Sequence, residues 1–327
     1  MTEKKNKAVD LRPIEKQIRI AKAVALVLVV IITLTVGQIT GNPEIPSWSS
    51  VFIDYFNSQS QTLSPSDVIV HVIDVGQGDC TLIQTQHNNI LIDAGENGLG
   101  RDVAVYLNKI GVKRLDWIVA THPHSDHIGG AAEVIEAVTV ENVIMPKLSK
   151  SNTPTTATYE KMLNAIKNSS AKVISAKPGS EYSFGGAEFT VLAPFEQDEN
   201  LNNMSVVLKL TYKGYSFMLS GDAEKEVESQ ILKAGYDISA DVYKGAHHGS
   251  STSNSKKFVK AVNPTYAVLS YEEGNSYGHP HRETVGLFNE EGIVYYSTAD
   301  YGTIVFTVDN SILDILTVKN DTAEVTK

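Results

Sequence analysis

Between residues 121 and 130 the chain reads Thr121-His122-Pro123-His124-Ser125-Asp126-His127-Ile128-Gly129-Gly130, with three histidines and one aspartate inside six residues. The apolar run at 115–120, carrying Leu115, Trp117, Ile118 and Val119, has the length of a buried strand, and residues 128–138 read as a helix. The cluster therefore sits where a strand hands over to a helix, a place where α/β folds gather functional groups. In an extended segment residues i and i+2 point the same way, so His122 and His124 aim both imidazoles at one point. Asp126 and His127, where the chain turns into the helix, aim at a second point nearby. These donor types suit a pair of divalent cations of the zinc type. The competing expectation is that Asp126 caps the helix and the histidines are solvated.

The only cysteine in 327 residues is Cys80, so no intramolecular disulfide forms and a thiolate metal site is excluded. Cys80 stands beside an apolar strand and reads as a small core residue. The formal net charge is −10, although residues 1–22 carry seven basic and three acidic side chains. The remainder of the chain is therefore strongly acidic, a poor electrostatic match for non-specific nucleic-acid binding.

That basic start is a cytoplasmic tail at 1–19, and it precedes an apolar stretch at 20–39. The stretch is expected to be a transmembrane anchor, with Lys22 reaching back to one interface; a cleaved signal peptide is the alternative. The basic flank places the N-terminus in the cytoplasm and the rest outside, so the chain is expected as a single-pass membrane protein or, with cleavage, a secreted one. Residues 40–66, rich in Pro, Ser, Gln and Asn, read as a linker. A globular domain is expected at 67–310, and a C-terminal tail at 311–327 has room for one last strand.

Within the domain, strands are expected at 68–74, 80–85, 89–93, 115–120, 142–145, 172–175, 187–192, 204–212, 215–220, 241–244 and 266–270, with closing strands to 308. Helices are expected at 101–110, 128–138, 156–167, 223–234, 256–262 and 282–289. Runs of strands with helices interspersed predict two mixed sheets covered by helices, a four-layer αββα sandwich of the α/β class. Asp93, His122, His124, Asp222, His247, His248 and His279 all fall at the ends of expected strands. Asp222, after a buried strand and Gly221, is placed to bridge two metals or, alternatively, to cap the following helix.

These residues resemble the metallo-β-lactamase-fold hydrolases. The narrower resemblance is to the C-terminal domain of ComEC-type competence proteins and their stand-alone relatives. It is carried by His71-Val72-Ile73-Asp74-Val75-Gly76-Gln77-Gly78-Asp79, Leu91-Ile92-Asp93-Ala94-Gly95 and the run from Thr121 to Gly130. Asn202-Asn203-Met204-Ser205, Leu219-Ser220-Gly221-Asp222, His247-His248-Gly249-Ser250 and the segment from Asn275 to Pro280 add to it. The resemblance implies a metallo-β-lactamase-like hydrolase domain at 67–310. It implies that His122 and His124 hold one metal, Asp126 and His127 a second, that Asp222 bridges them and that His248 is the last ligand. His247 would support the site from behind, and Asp93 would brace the loop. Many members carry a further histidine before the bridging aspartate; here no histidine occurs from 128 to 246, as in ComEC-like relatives.

Two divalent ions, Zn2+ or Mn2+, would share a water and bring its pKa toward neutrality, giving a metal-bound hydroxide, and offset charge building on a phosphoryl oxygen. Asp126 would orient the hydroxide or take its proton. His279 would donate a hydrogen bond to substrate or protonate the leaving group. Residues 250–255 would contact phosphate or cap the helix at Lys256. The expected function is that of a membrane-anchored phosphodiesterase or nuclease of the ComEC-like competence group, with DNA as a candidate substrate. A hydrolase of small or cell-envelope phosphodiesters, such as phosphocholine esters, is the alternative. A non-catalytic DNA-handling or envelope-binding subunit is the third.

Overall fold

The structure is a computed structural model describing residues 68–309 and 312–318. The basic tail, the apolar stretch at 20–39, the linker and the end of the C-terminal tail lie outside the described residues. Among the described residues no helix is long and apolar enough to cross a membrane.

Fifteen strands are described: β1 (Val68–Val72), β2 (Thr81–Gln84), β3 (Asn89–Ile92), β4 (Arg114–Val119), β5 (Thr139–Met145), β6 (Lys172–Ser175), β7 (Glu181–Phe184), β8 (Ala187–Ala193), β9 (Val207–Tyr212), β10 (Tyr215–Leu219), β11 (Val242–Lys244), β12 (Tyr266–Leu269), β13 (Val294–Ser297), β14 (Thr303–Asp309) and β15 (Ile312–Val318). They form one sheet in the order β15-β14-β1-β2-β3-β4-β5-β6 and a second in the order β13-β12-β11-β10-β9-β8-β7. Both sheets mix parallel and antiparallel pairs, for example β4 parallel to β5 and β1 antiparallel to β2 in the first. The first strand pairs with the penultimate one, Val68 opposite Val308 through Val72 opposite Ile304. The hairpin of β14 and β15 crosses the boundary expected at 310, so the sheet continues to Val318.

The two-residue period of the strands divides the interior. In β10, Phe217 and Leu219 join the core shared by the two sheets, while Met218 turns to the helices behind the second sheet. In β11, Val242 faces the shared core and Tyr243 the helices. Phe189, Phe217 and Phe306 fill the shared core with full burial, each contributing about 1.5–3 kcal/mol of hydrophobic stabilisation. Helices Lys225–Ala234, Lys256–Val262 and Arg282–Glu290 cover the second sheet through Val227, Ile231, Phe258, Val259 and Phe288. Helices Gly100–Lys109, Ala131–Ala137 and Ala157–Asn168 pack beside one another and bury one face each. The result is two sheets between helical layers, the arrangement expected from the sequence.

Several local expectations change. The helix expected at 128–138 is two pieces, Ser125–Ile128 and Ala131–Ala137. The break at Gly129-Gly130 has a steric reason: a side chain at either position would collide with the backbone of the 94–100 loop. The helix expected from 223 starts at Lys225, and β7 is an additional strand beyond those expected. The Asn-rich segment forms a 3-10 turn, Leu201–Met204, before β9.

Candidate metal centre

Both sheets contribute to the site. Beyond the end of β4 come His122 and His124, then Asp126 and His127 on the short helix Ser125–Ile128. Beyond β10 comes Asp222, and beyond β11 come His247 and His248 on the 3-10 turn Ala246–Gly249. Folding gathers the donor atoms of Asp126, His127, Asp222 and His248 into one group and those of His122, His124 and Asp222 into a second. Asp222 is common to both. His127 Nε2 lies 3.2 Å from Asp222 Oδ1, His248 Nε2 3.2 Å from Asp126 Oδ2, and His122 Nε2 3.7 Å from Asp222 Oδ2.

The capping alternatives fail for both aspartates. Neither helix Ser125–Ile128 nor helix Lys225–Ala234 has a side-chain cap, and Asp126 turns to His248 instead. At residues 250–255 the capping alternative is the one observed: Ser255 Oγ accepts from Phe258 N, while Asn254 is spent on Ala246, Ser250 and Tyr243.

A layer of neighbours fixes the ring orientations. Asp93 accepts from His127 Nδ1 at 2.7 Å and from Thr121 N and Oγ1 at 2.8 and 2.7 Å. His248 Nδ1 donates to Ser270 O at 2.9 Å. His279 stands at the rim, its ring centroid 5.4 Å from that of His247 and 5.9 Å from that of His248. Ser205, Asp79 and Lys244 join the site although sequence reasoning gives them no role in it. Ser205 Oγ accepts from Asp222 N at 3.1 Å and lies 3.4 Å from His122 Nδ1, so a hydroxyl stands on the side of the site that lacks a further histidine. Asp79 N donates to Asp126 O at 3.1 Å, and a side chain at Gly78 would collide with that same carbonyl. The glycine-rich turn is thus moulded onto the back of the ligand loop. Lys244, buried in β11, pairs with the Asp79 carboxylate at 2.8 Å. A lysine inside the apolar stretch Val242-Tyr243-Lys244 was the available signal for a buried ion pair.

The electrostatics suit cations. Burial, with His127 adding to it, pushes His122 well below the ordinary imidazole range, leaving a neutral ring whose Nε2 lies 3.0 Å from His124 Nδ1. Burial opposes charge on His248 and His127, but Asp222 and the other carboxylates outweigh it; His248 rises to about 10 and His127 well above its usual value. Asp222 is buried, yet His127 and His248 hold it well below the carboxylate range. Carboxylates crowded in a dry pocket require positive charge, which the two imidazoles supply as protons and a dication supplies in their place. His127 Nε2 and Asp222 Oδ1, both buried, face each other at 3.2 Å without good hydrogen-bond geometry, a pairing that suits two donor atoms able to share one ion.

Comparison with known proteins places the description "Metallo-beta-lactamase superfamily" on residues 73–272. The chain is 31% identical over 262 residues to "ComE operon protein 3" of Bacillus subtilis, covering 74% of this chain and 33% of that protein. It is 29% identical over 266 residues to "Competence protein ComA" of Neisseria gonorrhoeae, with 79% and 35% covered. "Recombination protein 2" of Haemophilus influenzae is 28% identical over 241 residues, with 72% and 28% covered. The chain thus spans about a third of the length of the curated relatives it matches. Among solved structures, the metallo-beta-lactamase fold protein YhfI from Bacillus subtilis superposes with a TM-score of 0.51 at 14% identity, covering 74% of this chain and 99% of that one, a likeness of fold.

Proposed function

The chain belongs to the metallo-β-lactamase superfamily of metal-dependent hydrolases, and from that premise we propose that it is a membrane-anchored phosphodiesterase whose outward-facing domain cleaves DNA. The observation that carries the reading is the pair of donor groups sharing Asp222. His122, His124 and Asp222 would hold one ion, and Asp126, His127, Asp222 and His248 the other. Bound there, two divalent ions supply Lewis acidity toward a phosphoryl oxygen and acidify water. Zn2+ suits the imidazole-rich donors and Mn2+ the carboxylates.

The chain's own residues do the rest. Asp126, with 21% of its side chain exposed against 2% for Asp222, stands on the open side, where its carboxylate orients the attacking water and takes its proton. Burial and the neighbouring His248 and His247 push His279 down to about 4, so at neutral pH it is an uncharged N–H donor. It binds a non-bridging phosphate oxygen rather than protonating the leaving group, and solvent supplies that proton. An apolar crevice of about 10 Å3, lined by Met145, Leu148, Tyr159 and Met162, lies beside His122, with space for no more than about one water molecule.

DNA is favoured because two of the relatives are named for competence and recombination. The net charge of −10 favours a second reading, a small or envelope phosphodiester such as a phosphocholine ester. The purified full chain, loaded with Zn2+ or Mn2+, should hydrolyse bis(p-nitrophenyl) phosphate and single-stranded oligodeoxynucleotide and lose both activities to a chelator. Cleavage of a phosphocholine ester with the oligonucleotide left intact selects the second reading. A metal-loaded protein inert toward all three sinks the hydrolase proposal. The apolar stretch at 20–39 behind its basic flank supports the anchor. Protease added to intact cells should digest the domain; its full protection until the cells are permeabilised would reverse the orientation.

A further inference from the structure

We propose that His247 is itself a metal ligand, joining His122, His124 and Asp222 to complete the first site in place of the histidine absent between residues 128 and 246. This rests on the metal-dependent reading above. The geometry of each ring's second nitrogen is the starting point. His127 Nδ1 is held by Asp93 at 2.7 Å, His248 Nδ1 by Ser270 O at 2.9 Å, and His122 Nδ1 lies 3.1 Å from Thr121 Oγ1. His247 follows the same pattern. Its Nε2 is 3.7 Å from Asp222 Oδ2, while Nδ1 is 3.2 Å from Thr252 Oγ1 and 3.6 Å from Glu224 Oε1. The Thr252 hydroxyl, within hydrogen-bond reach of Nδ1, fixes the ring as such partners fix a ligating histidine, and the Glu224 carboxylate at 3.6 Å adds negative charge behind it. His279 lacks such backing: its Nδ1 is buried without a partner.

Glu224 is held in turn. Asn202 Nδ2 donates to Oε1 and Asn200 Nδ2 to Oε2, each at 3.0 Å, and Glu224 N donates to Asn203 Oδ1 at 3.2 Å. The segment that lacks the histidine thus supplies the amides that set the carboxylate behind His247. The backbone agrees. His247 and His248 both have positive φ, 52° and 53°, a conformation costly for such residues and found where function requires it. It brings two successive imidazoles to one carboxylate, each Nε2 lying 3.7 Å from Asp222 Oδ2. In a strand, successive side chains would point to opposite faces.

The donor charges rank the two sites. The first has only the shared Asp222, while the second also has Asp126, so the first binds its cation more weakly and depends more on each neutral donor. The test strips the full chain with chelator, reloads it with Mn2+, and compares wild type, His247→Ala and Glu224→Gln by elemental analysis, titration and electron paramagnetic resonance. Circular dichroism checks folding. The expected result is one ion fewer in His247→Ala, with the spectrum of a spin-coupled pair replaced by that of an isolated ion. Glu224→Gln should weaken the first ion about tenfold or more. If His247→Ala binds as many ions as wild type, with the same affinity and spectrum, His247 is not a ligand, whatever its turnover. If His247→Ala does not fold, unchanged affinity in Glu224→Gln overturns the proposal. A wild type that binds no Mn2+ or Zn2+ would instead remove the metal-dependent reading itself.

Discussion

Replacing Asp222 by Asn should strip metal from both groups and lower hydrolysis by about a thousandfold or more, at least about 4 kcal/mol in the barrier. Asp222 is the residue common to the two donor groups, buried and facing His122, His127, His247 and His248 at 3.2 to 3.7 Å. The amide keeps the shape but removes the negative charge on which both cations rely. Asp126→Asn should cost a comparable factor in rate with a smaller loss of metal, because Asp126 belongs to one group only. His279→Ala should slow turnover and leave metal content near normal. Measuring metal content and rate together on the three variants decides the assignment. Two ions retained by Asp222→Asn would mean that the bridge lies elsewhere.

The second large effect concerns stability. Asp79→Asn should destabilise the protein by about 3 kcal/mol, since it leaves the Lys244 ammonium buried without its counter-charge. The pair joins a turn of the first sheet to β11 of the second at 2.8 Å, with 4% and 7% of the two side chains exposed. Lys244→Met should cost less, because Asp79 still faces His248 Nδ1 at 3.5 Å and the methionine stem keeps most of the packing. Urea denaturation of the two variants, each freed of metal by chelation, measures the difference. Equal losses, or less than about 1 kcal/mol for Asp79→Asn, would refute the asymmetry. Asp79→Asn keeps the backbone N–H that donates to Asp126 O, so the loss it causes reports on the ion pair rather than on that bond.

The strand-to-helix placement of the histidine run was legible because its chemistry and its local backbone lie in one short stretch. The long-range part was legible only in outline. That Asp222, His247 and His248 converge on that run is a property of sheet topology, and their expected roles came from resemblance rather than spacing. The helix break at Gly129-Gly130 stayed hidden because both glycines take ordinary helical-region angles, φ −58° and −88°; what demands them is the distant 94–100 loop pressing on their backbone. Glu224 and the asparagines around it carry no local signal, since polar residues before a helix usually read as caps. The edge strand β7 alternates polar Glu181 and Ser183 with Tyr182 and Phe184, but over four residues only, the shortest run that such a pattern can mark.

The pairing of β1 with β14 also has a consequence in time. Val68 leaves the ribosome early and its partner Val308 late. At roughly 5–20 residues per second, the wait lasts about ten to fifty seconds. Throughout it β1 has one neighbour, β2, and an open apolar edge that invites other chains. No shorter piece of this domain closes that edge, so the nascent chain must be kept apart from its copies until almost all of the domain has been made.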